Sequence, residues 1–82
     1  MSALETYLKG CSETRGLEHI NAIRALRTYI HLTPEDDIVL AINRITDIML
    51  LKHIIEAGVN ARLQKIVLTR YDLLKKEQGG GT

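Results

Sequence analysis

Tryptophan and phenylalanine are absent from the chain, and three tyrosines are its only aromatic residues. Proteins that hold single-stranded nucleic acid stack bases on aromatic rings, and neither of the two strongest platforms is present. Cysteine is nearly absent too. A single Cys11 can close no intramolecular disulfide and build no cysteine zinc site, which suits a reducing cytoplasm. Proline occurs once, at Pro34. No apolar run approaches the roughly 18 uninterrupted residues of a membrane span, and the opening MSALETYLKG lacks the basic-then-apolar layout of a signal peptide. The expectation is a cytoplasmic protein without a membrane segment. Charge of one sign is also lacking: 11 Lys and Arg against 10 Asp and Glu leave a net charge of +1. A protein whose affinity comes from neutralising phosphates carries a far more basic balance. No phosphate loop, dinucleotide fingerprint or nucleophile elbow occurs.

Aliphatic residues are what the chain has in abundance. Twelve Leu and ten Ile stand among 82 residues. A chain this short buries only about 60–65% of the surface its unfolded form exposes, and each fully buried Leu or Ile contributes roughly 1.5–3 kcal/mol. The length implies one domain, over 1–77, or a piece of a larger repeating array. Its surplus aliphatic side chains are expected to meet another chain, most simply a second copy. The glycine-rich tail at 78–82 has little to pack and is expected to be disordered or the root of a linker. Charge is unevenly spread: residues 1–47 carry five Lys and Arg against seven Asp and Glu, and residues 48–82 carry six against three. Such a gradient could steer head-to-tail stacking, or be ordinary scatter on solvated faces.

The pattern predicts an all-α fold of about five helices joined by short turns. Ser2 and Glu5 have capping-box spacing and Gly10 is placed to end a first helix over 2–9. A second helix, from about 13 or 17 to 31, has an apolar face of Leu17, Ile20, Ile23, Leu26, Tyr29 and Ile30. Thr33 is the natural N-cap and Pro34 the first residue of a third helix to about 45, with Glu35, Asp36 and Asp37 at the positive end of its dipole. Thr46 or Asp47 caps a fourth helix, which Gly58 ends. Asn60 caps the fifth, reaching about 76, whose inward stripe is Leu63, Ile66, Val67 and Leu74. The third and fourth helices are apolar nearly all round, so each must be covered on more than one side. Ile38, Ile42, Ile48, Leu51 and Ile55 form the expected buried layer.

Polar chemistry is sparse. His19, His31 and His53 include no i, i+4 pair on one helix face, and scattered surface histidines are expected in place of a metal site. Cys11 lacks a specified base and orienting group and reads as a small half-buried thiol. Asp36 and Asp37 diverge by about 100° on a helix, and their role is explained by the dipole. No catalytic, cofactor or metal residues are assigned, and an enzyme is not expected. The candidate interaction surface consists of Arg24, Arg27 and His31 on the second helix, with Arg62, Lys65 and Thr69 on the last.

The stretch AINRITDIMLLKHIIEAGVNARLQKIV carries Arg44, Ile45, Thr46 and Asp47 at the end of one helix, Leu50 and Leu51 in the next, and Arg62 opening the last. Over about 34–76 it resembles the HEAT-like class of helical repeats. The match is partial: Asp36 stands where the preceding repeat would place its arginine, and Lys65 or Ile66 where a small residue is usual. The resemblance implies an α-solenoid-type stack of helical hairpins that holds partners and has no chemistry of its own. A nucleic-acid reading is the alternative. LLKHIIEAGVNARLQKIVLTRY can be set out as a helix-turn-helix with 60–76 as recognition helix. The bulky Ile54 before the turn and the polar Gln64 at an inward position depart from that pattern.

Overall fold

The computed structural model describes residues 3–79 of the chain. Five helices and no strand are found among them: α1 Ala3–Glu13, α2 Leu17–Leu32, α3 Glu35–Arg44, α4 Ile48–Ala57 and α5 Ala61–Gly79. The radius of gyration, 12.5 Å, is close to the about 12 Å of a compact chain of this length.

Local signals explain most helix ends. Asp47 accepts a hydrogen bond from the Met49 backbone N–H at 2.9 Å and caps α4. Gly58 closes α4 with φ +81°, a conformation only glycine adopts at low cost. Asn60 accepts from the Leu63 N–H at 2.9 Å and starts α5. Three expectations need correction. The first helix does not stop at Gly10. It runs on to Glu13 because Leu4, Leu8 and Cys11 form one buried stripe, and the Thr14 hydroxyl closes its end by donating to the Gly10 carbonyl at 2.9 Å. Thr33 does not cap α3: its hydroxyl donates to the Tyr29 carbonyl at 2.7 Å and finishes α2 instead. Pro34 accordingly takes the cap position, its carbonyl accepting from Asp37 and Ile38. The expected face of α2 is only half used. Ile23 and Leu26 are buried where α2 packs against α1 and α4, whereas Leu17 is 74% exposed and Ile20 50% exposed.

α4 is the centre of the molecule, packed on α1, α2 and α5, while α3 packs on α5 and α1. Of the expected layer, Ile38, Ile42 and Leu51 are buried; Ile48 and Ile55 are half-buried against the same core. Ile45 and Ile54, outside that expectation, are buried completely. On the stripe of α5, Leu63, Val67 and Leu74 are buried and Ile66 is half-buried. The hairpin layering of a helical repeat is not shown, since α3 makes its main contacts with α5 and α1 and not with its chain neighbour α4. No polar side-chain atom is buried without a partner among the described residues, and no described helix is long and apolar enough to cross a membrane. The expected loose tail lies outside the described residues from 80 on; Gly79 belongs to α5.

Candidate functional site: the clefts around α5 and a histidine–carboxylate cluster

A cleft of about 330 Å³ opens where the end of α2 meets the α4–α5 turn, and Arg27, His31, Glu35 and Asn60 line it. Arg27 Nε donates to the Ala57 carbonyl at 2.6 Å, satisfying one of the acceptors that the end of α4 leaves open. Asn60 has two tasks: it caps α5, and its Nδ2 donates to Glu35 at 2.9 Å. Arg62 grips the other Glu35 oxygen at 2.8 Å and lies 3.8 Å from Asp36. Donation from Asn60 first, and then from Arg62, holds the Glu35 carboxyl below its ordinary pKa.

Two apolar grooves flank α5. Between α4 and α5 a groove of about 240 Å³ is lined by Leu51, Ile55, Val67, Leu68 and Tyr71, with Lys52 beside them. Between α3 and α5 a second, of about 340 Å³, is lined by Val39, Ile66 and Leu73 among polar Lys65, Thr69 and Arg70. Leu68 and Leu73 are each nearly half exposed. The six candidate surface residues therefore do not form one patch. Arg27 and His31 share the first cleft, with Arg62 tied to its wall through Glu35. Lys65 and Thr69 line the α3–α5 groove, and Arg24 stands exposed on α2 outside all three. Arg70, which lines the α3–α5 groove as well, donates Nε to the Ile45 carbonyl at 3.1 Å.

A third arrangement joins α2 to α4. His19 Nε2 lies 3.1 Å from both carboxylate oxygens of Glu56, and His53 Nδ1 lies 3.1 Å from Glu56 Oε1. On its other side, His19 Nδ1 lies 2.8 Å from the Cys11 carbonyl. The rings of His19 and His53 meet edge-on with centroids 5.6 Å apart. Hydrogen bonding to Glu56, followed by that to Cys11, raises the His19 pKa above its ordinary value. His53 and then His19 hold Glu56 below the usual carboxylate range. Cys11 is buried beneath this cluster; burial first, and the Glu56 charge second, push its thiol pKa up. That keeps it protonated and unsuited to nucleophilic work.

The histidines are thus not all scattered. The fold brings His19 and His53 together and leaves His31 in the separate cleft. Sequence spacing for an i, i+4 histidine pair could not find this, because His19 and Glu56 are 37 residues apart. The available signal was His53 and Glu56, three apart on one face of α4. No family model, curated protein or solved structure matches the chain.

Proposed function

We propose that this protein is a non-enzymatic interaction module that associates with a second copy of itself through the aliphatic surface along α5. The observation carrying this reading is the pair of apolar grooves on the two flanks of α5, with Leu68 and Leu73 standing half exposed beside them. Exposed aliphatic side chains arranged around grooves of this kind mark contact surfaces more often than isolated ones do. The groove between α4 and α5 is almost wholly apolar in its lining, so it suits an inserted Leu or Ile from a partner helix, the mode in which an amphipathic helix enters a groove. Support for kinship with HEAT-like repeats rests on the α4–α5 pair, which packs together across a short turn at Gly58. One buried free thiol agrees with a reducing, cytoplasmic setting.

The basic residues weigh against the nucleic-acid alternative. Arg62, the first cation of the supposed recognition helix, is neutralised by Glu35 and Asp36. Arg27 and Arg70 donate to backbone carbonyls inside the molecule. Mass in solution, read by light scattering behind a sizing column over a range of concentrations and salt, tests the proposal. A salt-insensitive dimer is expected for the native chain, and a monomer for Leu68→Glu with Leu73→Glu. A native chain that stays monomeric throughout overturns self-association.

A further inference from the structure

We propose that His19, His53 and Glu56 form a binding site for one divalent transition-metal ion of the zinc class, linking α2 to α4. The site has the ligand chemistry such ions take: two imidazoles and a carboxylate, one donor atom from each lying within 4.8 Å of the others. Tetrahedral bonds of about 2.0–2.1 Å place ligand atoms about 3.3 Å apart. Both histidine–carboxylate separations, at 3.1 Å, already meet that spacing, and only the two rings need to draw closer.

The hydrogen bonding around His19 supplies the second argument. A carbonyl oxygen only accepts, so the Cys11 carbonyl at 2.8 Å fixes the proton on Nδ1. In the neutral ring, Nε2 is then a bare lone pair aimed at two carboxylate oxygens. A metal ion on Nε2 would take the place of the proton that otherwise bridges this ring to Glu56. A backbone carbonyl that holds the far nitrogen of a ligating histidine, fixing its tautomer and aim, is the usual outer support of such a site. On α4, the three-residue spacing of His53 and Glu56 presents both ligands on one face.

The surroundings agree. Both histidines are half-buried, with side chains 22% and 15% exposed, whereas Glu56 is 47% exposed. An ion would therefore be held from the protein side by the rings and reached from solvent past the carboxylate. Three protein ligands leave a tetrahedral ion one further position, for water or for a side chain of another molecule. Imidazole donors favour zinc and its neighbours over magnesium and calcium, which take oxygen ligands.

Chelator-treated protein titrated with zinc chloride, by calorimetry in a non-coordinating buffer and by metal analysis after dialysis, decides the matter. The native chain is expected to take up one zinc per molecule and to gain several degrees in Tm with excess zinc, while magnesium at the same concentration does neither. His19→Gln and His53→Gln are each expected to weaken uptake at least about tenfold, and His31→Gln to leave it unchanged. Circular dichroism checks that the variants fold. Should a glutamine in place of either ring lower helicity, Glu56→Gln is expected to show the same loss of uptake. If the native chain takes up no zinc, a proton alone sits between His19 and Glu56 and the proposal fails. Uptake that survives loss of both rings, or magnesium bound as tightly as zinc, also overturns it.

Discussion

α4 and α5 follow one another across a three-residue turn, yet they meet the rest of the molecule in opposite ways. α4 has ten residues, of which Leu50, Leu51, Ile54 and Ala57 are buried, and it is covered by α1, α2 and α5. α5 has nineteen and lies along α3 and α4 with a buried stripe of Leu63, Val67 and Leu74. A short helix that is apolar on most sides is held by the number of its neighbours. A long helix with one apolar stripe is held by that stripe and by its ends. The first is a structural centre; the second has surface left over along its two flanking grooves.

Truncation tests the contrast most sharply. Leu51→Ala removes a fully buried side chain from α4 and is expected to cost about 2–5 kcal/mol in denaturant unfolding. Leu68→Ala, on the nearly half-exposed side of α5, is expected to change the stability of the unassociated chain by no more than about 0.5 kcal/mol. Equal losses would erase the distinction between the two helices. The joint between them comes next. Gly58 has φ +81° and open space where a Cβ would stand. Gly58→Ala therefore meets no clash and is expected to lose only the left-handed backbone penalty, about 1–2 kcal/mol. The same unfolding measurement, showing no loss, would mean that the turn can re-form with an ordinary backbone. The smallest effect concerns the anchoring of α5 at its start. The Glu35 pKa is lowered in the folded state, so its contribution is present above the ordinary carboxylate pKa of 4.5 and is lost as pH falls through the lower folded value. Glu35→Gln is expected to lose less stability than the native chain on acidification through that window, followed by Tm against pH.

Features set by neighbouring residues were legible in the sequence. The caps at Asp47 and Asn60 and the stop at Gly58 rest on hydrogen bonds spanning two or three residues and on a single backbone angle. Burial of Ile38, Ile42 and Leu51 followed from helical spacing. What depended on distant contacts was not legible. Gly10 resembled a helix end, but the pull of Cys11 into the core carries α1 past it. Leu17 and Ile20 were placed on an apolar face, and both stand exposed, while His19 between them is the residue of that turn that meets α1 and α4. Ile48 and Ile55 were expected inside and lie half-buried at the margins of α4. The same limit hid the cluster of His19, His53 and Glu56. Sequence spacing gives the face of each helix, but the choice of which faces meet belongs to the packing of α2 on α4.

Three side chains seal helix ends to which they are strangers in sequence. Arg27 donates to Ala57, Arg70 to Ile45 and Gln78 to Thr46, across 30, 25 and 32 residues. Helices of ten residues are too short to persist alone in water, and here the closing bonds at the ends of α3 and α4 exist only while α2 and α5 are docked. Fraying at those ends is thereby tied to undocking of whole helices. Amide protons near Ile45 and Ala57 are expected to exchange with solvent through the same opening that releases α2 or α5, coupling the ends of the two shortest helices to the docking of the two longest.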